Sequence, residues 1–273
     1  MARTSIDLVA DIGEGFGNYT VGDDDGLLEV LSSVNLACGF HAGSPLIMEK
    51  TVQKAMQNGV AVGAHPGFDD LQNFGRVKID QSQERLYADT LYQLGACQAF
   101  LKKYGVPVHH VTPHGMLGNL SVEDPYYAEP VMQAIHDFDP TVMLYSQTGA
   151  KNHIAEQALA LGHEVAWIGF PDRNLRADGH LVSRKLPNAL VGSADEVAAR
   201  AKTMVVDGYV EAEDGTRIEV DPDVLLLHGD KPEAVDSVTA IRNLIESHGL
   251  SVCATPSKRG LDAAEARETA RAQ

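Results

Sequence analysis

Three histidines in this 273-residue chain stand at the ends of apolar, strand-like runs, and each is followed directly by proline or glycine. They are His65, His114 and His228. In α/β folds the carboxyl edge of a parallel sheet is where ligands bind, so we expect the three imidazoles to meet at one such edge. A single histidine in this setting is often structural, but three in equivalent positions favour a shared site for general acid–base chemistry.

Two carboxylates join this set. Asp11 ends the first strand-like run and Glu14 lies one turn beyond it, which predicts that both reach the same rim. Asp11, His65 and His114 form a recurrent ligand set for a divalent ion such as Zn²⁺, with positions left open for water. The sequence has no His-x-His or His-Glu-x-x-His spacing, so an acid–base site without a metal is the simpler interpretation, and both remain open.

Two loops carry groups suited to an anion. The segment 38–43 leads into a helix start at Ser44, and backbone N–H groups there could receive a carboxylate or an oxyanion, with glycine permitting close approach. The alternative is that its glycines only relieve turn strain. Asp172 and Arg173 follow the sixth strand-like run, where a guanidinium fork suits a carboxylate substrate and an ordinary ion pair is the alternative.

Strand-like runs alternate with helical patterns along the chain, which predicts a parallel sheet. A sheet with this many β/α units favours an α/β fold of the TIM-like (β/α) barrel type over an open doubly wound sheet. The runs are Ile6 to Asp11, Val34 to Cys38, Val60 to His65, Val108 to Thr112, Val142 to Tyr145, Glu164 to Phe170, Val224 to His228 and a weaker Leu250 to Ala254.

We predict a single barrel domain over residues 1–256. Asp-Gly pairs indicate hairpin excursions near 174–184 and 209–220, and the composition of residues 257–273 predicts a polar tail. Helix start signals occur at Ser44, at Ser193 with Glu196, and at Asp230 before a helix that runs toward His248.

Composition excludes several classes of function. The formal net charge of −16 disfavours nucleic acid and anionic membranes as partners. Three scattered cysteines, no signal-peptide pattern and no apolar run of roughly 20 residues predict a soluble, cytoplasmic protein. The sequence also lacks a Walker A loop and a dinucleotide fingerprint, so any ATP would have to be bound by another chain.

Several motifs, taken in order, resemble those of the LamB/YcsF family. They are Asp7 to Gly17, Gly22-Asp23-Asp24, Asn35 to Gly43, Gly63 to Pro66, Gly75-Arg76, Pro113-His114-Gly115, Asp172-Arg173 and His228-Gly229-Asp230. The resemblance implies a seven-stranded barrel of the glycoside hydrolase/deacetylase type. It also implies the role of the A subunit of an ATP-dependent 5-oxoprolinase, a hydrolase that opens the lactam of 5-oxoproline to L-glutamate with B and C subunits.

Carried onto this chain, the resemblance implies two groups of site residues. The candidate catalytic residues are Asp11, Glu14, His41, His65, His114 and His228. The candidate substrate-binding residues are Asn35, Gly39, Asp172, Arg173 and Asp230. ATP would act through the partner subunits, and a divalent metal would be held by Asp11, His65 and His114.

Three positions depart from the family pattern, which usually has asparagine at Val9, lysine at Thr112 and tyrosine at Gly118. A missing ammonium two residues before His114 predicts weaker handling of an anionic substrate, unless Arg173 or Lys151 supplies the charge. Two other functions therefore stay open: a stand-alone metal-dependent deacetylase or amidase acting on another lactam or amide, and a non-catalytic scaffold subunit.

Overall fold

The structure, a computed structural model, describes residues 3–230 and 233–257. Most of the predicted polar tail, residues 258–273, lies outside the described residues, as do residues 231 and 232 at the expected start of the last helix.

Seven parallel strands close into a barrel, which confirms the predicted TIM-like fold. Their bounds, with those of one further short strand, are β1 Ser5–Ile12, β2 Ser33–Ala37, β3 Ala61–His65, β4 His110–Val111, β5 Met143–Gln147, β6 Val165–Gly169, β9 Val224–Leu227 and β10 Ser251–Val252. The closed ring runs β1-β2-β3-β4-β5-β6-β9, and β9 pairs back onto β1. The short β10 pairs with the start of β1 outside this ring.

Helices surround the barrel. Their bounds are α1 Asp24–Val30, α2 Pro45–Asn58, α3 Gln83–Lys102, α4 Gly115–Glu123, α5 Pro125–Phe138, α6 His153–Ala160, α7 Ala194–Lys202 with a π-helical extension Thr203–Asp207, and α8 Ala234–Ser247. Ser44 caps α2 and Ser193 forms a capping box with Glu196 at α7, as the start signals predict. The last helix, α8, begins later than predicted, at Ala234.

The two segments expected to form hairpin excursions, 174–184 and 209–220, differ in structure. Strands β7 Tyr209–Glu211 and β8 Arg217–Glu219 form a separate antiparallel hairpin. The segment 174–184 forms no strands: it is a tight loop closed by one isolated bridge between Leu175 and Leu181. That loop brings Arg184 back toward the barrel mouth, where it lines a cavity.

Alternate residues of the strands face the barrel interior. On β1, Leu8 and Ala10 belong to the core shared with the helices, whereas Val9 packs inside the barrel against residues of β5, β6 and β9. The same alternation turns Asp7 and Asp11 inward at different depths. Within the described ranges, no helix has both the length and the apolar character needed to cross a bilayer.

Candidate active site

The carboxyl ends of the barrel strands carry the predicted site residues. Asp11 lies near the end of β1, His65 ends β3, and His114, three residues after the end of β4, is the N-cap residue of α4. The loops after β1 and β2 supply Glu14 and His41. Because the parallel strands all end at the same rim, residues far apart in the sequence come together in one buried cluster.

The centre of this cluster is a set of short polar contacts. His65 Nε2 lies 2.9 Å from His114 Nδ1 and 3.2 Å from Asp11 Oδ1. Glu14 Oε1 lies 3.3 Å from His41 Nε2 and 3.6 Å from His114 Nδ1. All five side chains are buried, so water screens these interactions only weakly.

Backbone carbonyls fix the outer nitrogen of two histidines. His65 Nδ1 donates to Thr112 O at 2.5 Å and His114 Nε2 donates to Phe74 O at 2.9 Å, since a carbonyl can only accept. The two remaining nitrogens, 2.9 Å apart, cannot both present lone pairs. One proton, or one cation, must lie between His65 and His114, and the Asp11 carboxylate beside them stabilises that positive charge.

His41 stacks on His114 with ring centroids 3.7 Å apart and an interplanar angle of 2°. Gly75 allows this packing: its φ is +63°, and a Cβ there would lie 2.8 Å from His41 Cβ and 2.9 Å from His114 Cδ2. A side chain at this position would therefore push both rings out of place.

The two carboxyl groups of the cluster are driven to opposite protonation states. Burial alone would raise the pKa of Asp11, but the His65 imidazole, by charge and hydrogen bond, lowers it well below the usual range. Burial, together with the Asp11 and Asp230 charges, raises the pKa of Glu14 well above its usual value. Asp11 is thus an ionised base and Glu14 a neutral acid, a separation typical of acid–base sites.

Burial also lowers the pKa of His41 and His114 well below the usual value. In His41 the charges of His65 and Arg76 act in the same direction, and in His114 those of His41 and His65 do. Burial therefore favours the neutral imidazole at both positions.

Sequence reasoning missed His110, which continues the cluster into the barrel. The Asn35 side chain donates from Nδ2 to Asp11 Oδ1 at 2.9 Å and accepts from His110 Nε2 at 2.8 Å. A Cβ at Gly63 would lie 2.2 Å from His110 Nε2, so the strand needs glycine there to admit the ring. The available signal was the two-residue alternation along the predicted run Val108 to Thr112, which places His110 on the same face as Thr112.

The remaining predicted site residues contact one another or nearby loops. His228 Nδ1 lies 2.9 Å from Asp172 Oδ2. The Arg173 guanidinium donates to Ala189 O at 3.2 Å and Val182 O at 2.7 Å, so it holds the loop 182–189. Asp230 accepts from Arg76 Nη2 at 2.7 Å.

The amide of Gly39 donates to Ala42 O at 2.9 Å. This amide is already used within its own loop. The candidate anion-binding group in that segment is therefore not the Gly39 N–H itself.

A cavity of about 270 Å³ opens over the cluster. Asp11, His65, His114 and His228 share its wall, whereas Glu14 and His41 lie behind His114. Small-molecule sites usually have volumes of roughly 300–1,000 Å³, so this one suits a ligand of few atoms. Cavity-facing groups can touch a substrate, and the two residues behind them can only act through His114.

The donor set could hold a divalent ion. Glu14, His41, His65 and His114 each offer a ligand atom within 4.8 Å of the others. His65 and His114 fit the role, because ligating histidines usually donate their other N–H to a carbonyl or a carboxylate. His41 stacks face to face on His114 and does not line the cavity, so it would not join these two as a ligand. The residues on the cavity wall that would hold an ion are His65, His114 and Asp11, whose Oδ1 lies 3.2 Å from His65 Nε2.

The fold and the cleft define a (β/α) barrel protein with a histidine and carboxylate site at the carboxyl ends of its strands. The chain belongs to the LamB/YcsF family, whose sequence model matches residues 6–260.

Two related proteins and one solved structure have sequences similar to that of this chain. The chain is 41% identical over 251 residues to the 5-oxoprolinase A subunit of a Bacillus cereus strain, covering 92% of this chain and 99% of that protein. It is 42% identical over 247 residues to the protein of the same name from Symbiobacterium thermophilum, covering 90% and 94%. The crystal structure of a lactam utilization protein from Thermus thermophilus superposes with a TM-score of 0.85 at 41% identity, covering 92% of this chain and all of that one.

Proposed function

We propose that this chain is the lactam-opening A subunit of a cytoplasmic, ATP-dependent 5-oxoprolinase that works with B and C subunits. The observation that carries the proposal is the contact of His65, His114 and Asp11 on the cavity wall, which requires one shared proton or cation. The names of the relatives, a 5-oxoprolinase A subunit and a lactam utilization protein, supply the substrate class.

Opening a γ-lactam requires a base that activates water and an acid that protonates the departing nitrogen. Asp11 is ionised and faces the cavity, so it is the candidate base. The proton held between His65 and His114 is positioned for transfer to the nitrogen. Neutral Glu14, 3.6 Å from His114, can restore that proton from behind.

ATP would supply the driving force through the partners. A lactam amide is planar and nearly unstrained, so hydrolysis alone gains little, and the chain carries no Walker A loop with its lysine. The cavity is also small for a nucleotide. We therefore assign ATP binding to the B and C subunits.

One observation favours a second candidate, a metal-dependent amidase or deacetylase. His65, His114 and Asp11 lie together on the cavity wall, and carbonyls already orient the two histidines. A bound ion would polarise the substrate carbonyl and acidify water. The chain's own residues would then orient the amide and hold the proton for its nitrogen.

Reconstitution separates these functions. Glutamate formation from 5-oxoproline is measured with the chain, B and C subunits and ATP, with each component omitted in turn and against a panel of lactams. The proposal predicts glutamate only when all are present. Hydrolysis of amides by the chain alone, lost with chelator and restored by metal, supports the second candidate. Glutamate formation that survives omission of this chain would show a dispensable scaffold.

A further inference from the structure

Two arginines converge on a single carboxylate at the cavity wall. Arg76 Nη2 donates to Asp230 Oδ2 at 2.7 Å, and Arg184 Nη1 lies 3.9 Å from the same oxygen. Asp230 is hydrogen-bonded to Arg76, and its contact with Arg184 is the longer of the two. Arg76 is also fixed over the Phe74 ring, 4.7 Å from its centroid, and the Phe74 carbonyl accepts from His114.

Arg184 has unused hydrogen-bonding capacity. Its Nη2 is buried and has no hydrogen-bond partner among the described residues, and the side chain as a whole is 23% exposed. A buried N–H without an acceptor is costly, roughly 1–3 kcal/mol or more for a charged group. Buried polar groups in native proteins rarely lack a partner, and a bound ligand that supplies the acceptor would satisfy this one.

The other basic residues of the cavity are engaged or exposed. Arg173 donates to two backbone carbonyls, and Arg176 pairs with Asp178 and Glu123. Lys185 is exposed to solvent. Arg184 is therefore the cation of this wall that is both part-buried and incompletely paired.

We propose that Arg184, held beside Arg76, binds a carboxylate carried by the substrate close to its scissile amide. The substrate class is then a small amide or lactam bearing one carboxylate, as in 5-oxoproline. A carboxylate oxygen is a suitable acceptor for the buried Arg184 Nη2, which has no partner among the described residues. This inference rests on the proposed lactam-opening function and assigns specificity within it.

The charges around Arg184 are consistent with this role. Burial and the nearby Arg76 lower the pKa of Arg184, and the carboxylates of Asp230, Asp172 and Asp11 oppose that shift. The group stays charged throughout the physiological range, because arginine loses its proton only far above it. An incoming carboxylate relieves the repulsion between the two guanidinium groups.

The site also accounts for the threonine at position 112. Thr112 lines the same cavity, is buried, and uses its carbonyl to orient His65. A cation for the substrate carboxylate already stands on another loop, so this chain has a positive charge at the cavity without a lysine at 112.

The test compares a carboxylate with its neutral isostere. Binding of 5-oxoproline and of its carboxamide to the full-length chain is measured by calorimetry for wild type, Arg184→Gln and Arg184→Lys, and turnover of both is measured in the reconstituted complex. Wild type should prefer the acid by about 10- to 100-fold, the scale of one charge-assisted contact. Arg184→Gln should abolish that preference, and Arg184→Lys should restore part of it.

The matched control is Arg176→Gln, which removes a paired arginine from the outer part of the same cavity and should leave the preference unchanged. A preference that survives in Arg184→Gln overturns the proposal, as does wild type that binds the acid no better than the carboxamide or does not bind it at all. Equal weakening for both ligands shows a structural partner of Asp230 and also overturns it. Loss of the acid preference without any glutamate formation by the complex would leave the subsite standing and refute the proposed function instead.

Discussion

Strand β1 buries two carboxylates on the same face, one at each end of the barrel, and they have very different surroundings. Asp7 is 1% exposed and accepts hydrogen bonds from Ser32, from Ser33 and from the Tyr145 hydroxyl, at 2.6 to 2.8 Å. Asp11, about 13 Å further along the strand, contacts Asn35 and His65 and faces the cavity.

The two carboxylates differ in the groups that contact them. Neutral hydroxyls enclose Asp7, and burial together with the Asp7 charge raises the pKa of Tyr145 well above its usual value, so that donor keeps its proton. Asp11 is matched instead by imidazoles that can exchange protons. We call the end of the barrel near Asp7 the lower end and the end near Asp11, where the strands have their carboxyl ends, the upper end. The same residue type on one strand thus stabilises the fold at the lower end and provides chemistry at the upper end.

The largest expected effect is at the upper end. His114→Ala removes one side of the shared proton contact and should lower ATP-coupled glutamate formation by about 1,000-fold or more. The control is His136→Gln, which changes a part-buried histidine paired with His163 outside the cleft. Activity of His114→Ala within tenfold of wild type would remove His114 from the chemistry.

At the lower end the expected effect is on stability. Asp7→Ala leaves the Ser33 and Tyr145 hydroxyls buried without their acceptor, which should cost about 3 kcal/mol or more in the free energy of unfolding. Urea denaturation measures it. Asp221→Ala, at an exposed carboxylate paired with Arg3, is the control and should cost about 1 kcal/mol or less. Equal costs for the two variants would contradict the structural role of Asp7.

The sequence patterns located the upper end better than the lower. Strand-end histidines followed by proline or glycine are visible in a linear pattern, and the resemblance added His41. Arg76 stood in a family motif but was not assigned to the site, because it meets Asp230 across 154 residues. Arg184 was missed, because it lies on a loop whose path no local pattern sets. Asp7 looked like any polar residue at a strand start, since its partners come from β2, β5 and the segment after β10.

A third carboxylate, that of Asp24, should have a smaller effect on the free energy of unfolding, and this effect depends on pH. Burial raises the pKa of Asp24 to about 6, although its carboxylate accepts from Gly13 N. The folded state therefore favours the protonated acid, and this contribution is full below the usual value near 3.8 and lost as pH rises through about 6.

Asp24→Asn mimics the protonated acid. Its free energy of unfolding should match that of wild type near pH 4 and exceed it by up to about 3 kcal/mol at pH 8. Asp25→Asn, at an exposed carboxylate paired with Lys54, should show no such trend. A difference between Asp24→Asn and wild type that does not change with pH would refute the shifted titration.

The smallest effect is expected at Thr112. Arg76 and Arg184 already supply positive charge to the cavity. Thr112→Lys should therefore raise 5-oxoproline turnover by less than about threefold, and burial of a further cation near His114 should tend to lower the turnover. Steady-state kinetics of the reconstituted complex measures this. A gain of about tenfold or more would show that the missing lysine is a real deficit.

The most direct test of the comparison is Asp11→Asn, measured both for ATP-coupled glutamate formation and for urea unfolding. Asparagine keeps the size of the side chain and an oxygen that can accept from Asn35, but it removes the negative charge beside His65. We predict turnover reduced by about 1,000-fold or more in a protein that remains folded, with the free energy of unfolding lowered because the charge shared by His65 and His114 loses its buried partner. A folded Asp11→Asn protein that forms glutamate at close to the wild-type rate would contradict the assignment of chemistry to the upper end of the barrel.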